Sequence, residues 1–245
     1  MRFLLTNDDG IDAPGLQALV AAADVFGEPY VVAPAGAQSG VSHAVTEGGV
    51  LMEERGNDRF AVFGTPADCA RLGLLRVVPN AHWVLSGINH GGNLGADVYY
   101  SGTVAAIREA VLHGWPGIAV SHYRRADFPD IDWNRATQWT TRVIDHILTQ
   151  QRAIEPGLFY NVNLPHLAPD APDPKIVFCP LDPHPLPLSY RHEDDGRHFY
   201  NGNYHSRARK KGADVDTCFS GSIAVTAIRL FKDTGFTCGM GKKSG

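Results

Sequence analysis

The chain has 245 residues, 44% of them apolar and 20% charged, with a formal net charge of −4. That suits one globular domain with a substantial core and an extended arm. The one basic cluster, Arg207, Arg209, Lys210 and Lys211, reads as a solvated loop, which excludes a nucleic-acid polymer as partner; no segment approaches the ~20 apolar residues of a membrane span.

The first residues run into a strand without the features of a signal peptide. Cys69, Cys179, Cys218 and Cys238 are dispersed, with no CxxC pair. A zinc ribbon or disulfide framework is therefore excluded, and a reducing cytoplasm is expected.

Residues 2–6 form a short apolar run that stops at Asn7-Asp8-Asp9-Gly10. Such runs suit strands buried on both faces of a parallel sheet. Pro14 marks the first turn of a helix whose face is Leu16, Leu19, Val20 and Ala23. A second strand, residues 30–33, completes a βαβ unit. Residues 50–54 and 60–63 read as a hairpin. Thr65, Pro66 and Asp68 read as a capped helix start. Residues 83–85 are a buried strand ending at Ser86-Gly87, and a loop rich in Gly and Asn is expected over 88–97. Ser101-Gly102-Thr103 opens a helix with Val104, Ile107, Ala110 and Val111 inward. Strands are expected at 118–120, 158–162, 176–178 and 222–230, and a longer helix around 136–148. Residues 180–212 show no period and are too long for an ordinary connection, so they read as an arm. The tail, 235–245, reads as frayed.

The fold class is α/β, a Rossmann-like three-layer sandwich with a mostly parallel sheet. In such sheets ligands bind beyond the carboxyl ends of the strands. The loops 7–12, 34–43 and 86–103 can therefore meet at one rim. Asp8 and Asp9 are adjacent carboxylates whose repulsion a hard divalent cation would offset. Ser39 offers a hydroxyl to a metal or a phosphate, and Asn89 and Asn93 offer neutral oxygens. The helix start at Ser101-Gly102-Thr103 favours a phosphate through free N–H groups and the dipole. His43 and His90 read as hydrogen-bonding loop histidines, and Tyr99 and Tyr100 as packed side chains, with stacking on a base as the alternative.

These motifs together resemble the SurE survival-protein family of nucleotidases. The matching residues are Leu4-Leu5-Thr6-Asn7-Asp8-Asp9-Gly10-Ile11, Ala13-Pro14-Gly15, Gln38-Ser39-Gly40 and Gly64-Thr65-Pro66-Ala67-Asp68-Cys69. They continue with Ser86-Gly87-Ile88-Asn89-His90-Gly91, Asn93-Leu94-Gly95, Tyr100-Ser101-Gly102-Thr103-Val104 and Asn161-Val162-Asn163-Leu164-Pro165. The resemblance implies one domain over 1–245 with an arm, 180–212, exchanged between subunits of a homodimer or homotetramer. It implies hydrolysis of nucleoside 5′- and 3′-monophosphates, with short polyphosphate as a further substrate. It implies one divalent cation per subunit, Mg²⁺ or Mn²⁺, on Asp8, Asp9, Ser39 and Asn93, and phosphate contacts at Asn89, Ser101, Gly102 and Thr103. The segment Ala35-Gly36-Ala37 departs from relatives that carry charged or Asn residues there.

Asp8 and Asp9 are the catalytic candidates, as base for an attacking water or as nucleophile. A non-catalytic nucleotide-binding module is one alternative, but a site built only for an anion gains nothing from paired carboxylates. A haloacid-dehalogenase-type phosphatase is another. That class separates its two aspartates by one residue and uses a later lysine, whereas the first lysine here is Lys175.

Overall fold

The computed structural model describes residues 1–150 and 155–231. The expected tail, 235–245, lies outside the described residues. In chain order the elements are β1 (Arg2–Thr6), α1 (Pro14–Asp24), β2 (Glu28–Pro34), β3 (Met52–Glu54), β4 (Arg59–Val62), α2 (Pro66–Leu72), β5 (Trp83–His90), α3 (Gly102–Leu112), β6 (Gly117–His122), α4 (Trp133–Gln150), β7 (Leu158–Leu164), β8 (Ile176–Phe178), β9 (Tyr190–His192), β10 (His198–Tyr200), α5 (Asp214–Phe219) and β11 (Ile223–Arg229).

The main sheet runs β3-β4-β2-β1-β5-β6-β7-β11-β8. From β4 to β7 every neighbouring pair is parallel. The strands β3 and β11 are antiparallel to β4 and β7. Side chains alternate across a strand, so β1 serves two cores. Phe3 and Leu5 pack with Leu16 and Leu19 of α1 and Trp139, Val143 and Ile144 of α4. Leu4 packs on the other face with Cys69 of α2 and Val104 and Ile107 of α3. That two-sided burial explains the unbroken apolar run in β1. Three layers result, as expected. The parallel strands also bring the ends of β1, β2 and β5 to one rim.

The helix starts obey local chemistry. Thr65 caps α2, accepting from the Asp68 N–H while the Asp68 carboxylate accepts from the Thr65 N–H. Ser101 caps α3 through its hydroxyl and the Val104 N–H.

One expectation needs correction, and two elements were not foreseen. β5 does not stop at Ser86-Gly87: it shifts register and pairs again at Asn89 and His90 with Ser121 and His122 of β6. Gly87 permits this, because a Cβ there would lie 2.1 Å from the Val120 carbonyl oxygen. The arm contains an exposed hairpin, β9 with β10, although its sequence lacks a period. The helix α5 went unexpected. Its six residues are too few to show a helical period, and it packs Val215 and Cys218 against Leu94 and Ala224.

Candidate active site

The turn after β1 is built by Asn7. Its side chain donates to the Gly10 carbonyl (2.8 Å) and accepts from the Gly10 N–H (3.2 Å). Gly10 takes φ +103°, a left-handed conformation that suits glycine. Asp8 and Asp9 are thereby presented at the rim.

Asp8 is buried. Its Oδ1 accepts from the Thr103 hydroxyl at 2.5 Å. Burial pushes the Asp8 pKa up to about 6, the bond from Thr103 opposes that, and the neighbouring Asp9 charge adds to it. Asp9 lies half-buried, and its Oδ2 accepts from the His90 N–H at 3.0 Å.

Asn93 is held from every side. Its N–H donates to Asn163 Oδ1 (2.8 Å), and its carbonyl accepts from Asn161 and Asn163 (2.8 and 3.1 Å). Its Nδ2 donates to Ser121 Oγ at 2.8 Å. A hydroxyl can donate as well as accept, so it would satisfy either orientation of the amide; the orientation present leaves Oδ1 as the free atom. The Asn161-Val162-Asn163 segment is therefore a buttress for Asn93.

Asp8, Asp9, Ser39, Asn89, Asn93, Ser101 and Gly102 line one pocket of about 280 Å³. The three loops do converge. Thr103 lies behind the wall instead. It is fully buried, with its hydroxyl given to Asp8, so it supports a carboxylate and does not face the pocket. Gly102 fits the same contact: a Cβ there would lie 2.9 Å from Asp8.

Sequence reading missed Asp97 and Leu186, which line the pocket together with Tyr100. Tyr99 and Tyr100 are each 62% exposed, so neither is a packed side chain. The basic cluster is not uniformly solvated either. Arg207 is buried and donates to Asp97 Oδ2 at 2.8 Å, beside the Tyr204 hydroxyl at 2.7 Å. An isolated buried carboxylate demands such a partner. Nothing in sequence spacing links positions 97 and 207; only the return of the arm does.

A larger groove of about 530 Å³, with Trp115, Leu158 and Phe231 among its residues, presents little polar chemistry beyond Glu155. The paired carboxylates, free carbonyl and helix start favour the smaller pocket.

The family model for the survival protein SurE matches residues 3–182. The chain belongs to the SurE family. It is 48% identical to a putative 5′-nucleotidase of Nostoc sp., over 94% of this chain and all of that one. It is 38% identical to the 5′-nucleotidase SurE of Methylobacterium nodulans, over 94% of each chain. Its fold matches the crystal structure of the SurE protein from Aquifex aeolicus with TM-score 0.82, at 30% identity and covering 96% of both chains. The family thus agrees with the motifs quoted above and with the parallel sheet.

Proposed function

We propose that the protein is a divalent-cation-dependent 5′-nucleotidase. Nucleoside 5′-monophosphates are its main substrates, with 3′-monophosphates and short polyphosphate as further ones. The observation that carries this reading is the charge of the pocket. Among the described residues its wall bears Asp8, Asp9 and Asp97 but no lysine or arginine. A phosphate monoester is an anion, and bringing it beside two carboxylates costs free energy unless a cation neutralises them.

The donor set fits such a cation. Asp8, Asp9, Ser39 and the free Oδ1 of Asn93 are all oxygens, which suit Mg²⁺ or Mn²⁺. These four residues would hold one ion per subunit. When bound, it polarises the phosphoryl group and lowers the pKa of a water.

The chain's own residues do the rest. The Ser101 hydroxyl and Gly102 N–H, at the positive end of α3, bind phosphoryl oxygens, with Asn89 beside them. Asp9 has one oxygen engaged by the His90 N–H. Its other oxygen accepts the proton of the water that attacks phosphorus in line. Asp8 stays fixed by Thr103. The exposed Tyr100 ring gives the nucleobase a stacking face.

The test is phosphate release from AMP with Mn²⁺ or Mg²⁺. Asp8→Asn should lower turnover roughly 100-fold or more, beyond what loss of a group supporting a ligand costs. Wild-type turnover in that variant, or AMP binding without turnover under any cation, would remove the enzyme reading.

We further infer a homodimer or homotetramer joined through residues 180–212. Support comes from the β9–β10 ribbon, which exposes Tyr190, Phe199 and Tyr200, with Leu188 before it at 94% exposure. An isolated two-stranded ribbon is marginal without cover. Light scattering on the whole chain checks this: a monomer at micromolar concentration contradicts it. The free thiols Cys69, Cys179 and Cys218 suit a reducing cytoplasm. No helix among the described residues is long and apolar enough to cross a membrane.

A further inference from the structure

Ser39 sits in residues 35–51, a stretch between β2 and β3 with no strand or helix. Such a stretch has no ladder to hold it, and it is rich in glycine; a Cβ added at Gly36, Gly40, Gly48 or Gly49 would point into open space. Its position depends on tethers. The Gln38 N–H donates to the Asp8 carbonyl at 2.7 Å. The Ser42 hydroxyl donates to the Tyr99 carbonyl at 2.9 Å. His43 Nε2 donates to Glu109 Oε2 at 2.8 Å. Thr46 donates its hydroxyl (2.5 Å) and N–H (3.2 Å) to the Asp68 carboxylate. Ser39 and Gly40, which face the pocket, therefore hang between a pier at Gln38 and a pier at Ser42-His43. Both Gly40 (φ +74°) and Ser42 (φ +53°) are left-handed, so the span turns sharply between its piers.

Glu109 is the unexpected part. It lies on α3, is 2% exposed, and receives Arg71 Nε at 2.5 Å and His113 Nε2 at 3.0 Å besides His43. Burial alone would raise its pKa, but the bonds from Arg71 and His43 outweigh burial and hold it below the ordinary carboxylate range. Arg71 belongs to α2, so its bond ties two helices together, whereas His113 caps α3 and pairs with Glu109 within that one helix. Among the described residues, only His43 carries the carboxylate's hold to the loop. The same helix therefore serves both walls of the pocket: its start receives Asp8, and its middle grips the Ser39 span.

We propose that Glu109, acting through His43, is a positioning residue that sets the Ser39 hydroxyl at the pocket, with Asp68 as the second anchor through Thr46. The inference rests on the nucleotidase reading, because it gives Ser39 a part in holding cation and substrate. It also gives the Thr65-Pro66-Ala67-Asp68 motif a task beyond capping α2.

The experiment uses the whole chain and reads manganese binding by calorimetry, AMP kinetics, and hydrogen exchange over residues 36–46. Variants are His43→Ala, Glu109→Gln, Ser39→Ala, the double His43→Ala/Ser39→Ala, and His113→Ala as control. His43→Ala should weaken manganese binding and raise KM roughly 3- to 10-fold, the size of one net hydrogen bond, and speed exchange in the loop. In the Ser39→Ala background the same change should add nothing, because coupled residues are not additive. His113→Ala should behave as wild type. If Glu109→Gln fails to fold, His43→Ala and Thr46→Val carry the test.

Multiplying effects of His43→Ala and Ser39→Ala would overturn the proposal. So would a His113→Ala as damaging as His43→Ala, since the effect would then come from helix packing. Faster exchange with unchanged manganese binding and KM would overturn it while leaving the nucleotidase reading intact. A wild type that neither binds manganese nor hydrolyses AMP would fell both.

Discussion

At Gly102 two demands oppose each other. Alanine is the better helix former by about 1 kcal/mol, so the substitution should not harm folding. Its Cβ, however, would lie 2.9 Å from the Asp8 carboxylate, and Asp8 would have to shift. Gly102→Ala should therefore keep a wild-type unfolding midpoint within a few degrees yet lose roughly 100-fold in kcat/KM, the scale of misplacing a reacting group. Full activity in a folded Gly102→Ala would show that Asp8 is not held as described. Thr103→Val tests the same carboxylate from the other side. It keeps the shape and removes the hydroxyl that donates to Asp8 at 2.5 Å. Activity with AMP should fall roughly 10- to 100-fold, as for groups that orient a ligand, with a modest loss of stability by urea unfolding. Asp8, Asp9 and Asn93 were legible because oxygen-bearing side chains in strand-end loops announce themselves. That Thr103 turns inward was not, since every residue of a helix's first turn offers an N–H and only packing decides which one faces the ligand.

Elements were legible where their burial is continuous and long. β1, β2 and the first half of β5 are apolar on both faces, and α1 and α3 repeat apolar residues at helical spacing. Legibility ended where a single glycine or a distant partner decides the outcome, as at Gly87 in β5 and in the short α5. The roots of the arm belong with these. Asp214, at the start of α5, accepts from the N–H groups of Gly95 and Asp182, each at 2.8 Å. Asp182 in turn accepts from the Lys210 N–H at 2.6 Å. Together with Asp97–Arg207, these bonds fasten both ends of the arm to the loop that carries Asn93. Arg207→Ala would leave the Asp97 carboxylate buried without its cation. That should cost about 3–5 kcal/mol of stability, measured by denaturant unfolding, and Asp97→Asn/Arg207→Met should recover part of it. A single variant as stable as wild type would mean that the pair is not closed in solution.

For the whole molecule, pH sets two buried groups against each other. Burial lowers the His122 pKa from 6.5 to about 4, against the bond its Nδ1 donates to the Tyr123 carbonyl. The unfolded chain therefore binds a proton at His122 below 6.5 that the folded chain refuses until about 4, and stability falls as pH drops through that window. His166, also lowered by burial, acts in the same direction. Asp8 has the opposite sign. Its folded pKa of about 6 lies above the ordinary 3.8, so between those values the folded chain takes up the proton more readily, and stability rises as pH drops. Asp214, raised by burial, adds to Asp8. The His122 and Asp8 shifts are each worth about 3 kcal/mol at 1.36 kcal/mol per pKa unit, so they offset each other. Without added cation, the contribution of these groups to wild-type stability should be nearly flat from pH 6.5 to 4. Asp8→Asn removes one side of the balance, so the variant should lose about 3 kcal/mol relative to wild type over the same range, measured by urea unfolding at each pH. If the variant tracks wild type, the Asp8 carboxyl does not carry its raised pKa, and the burial that makes it need a cation is absent.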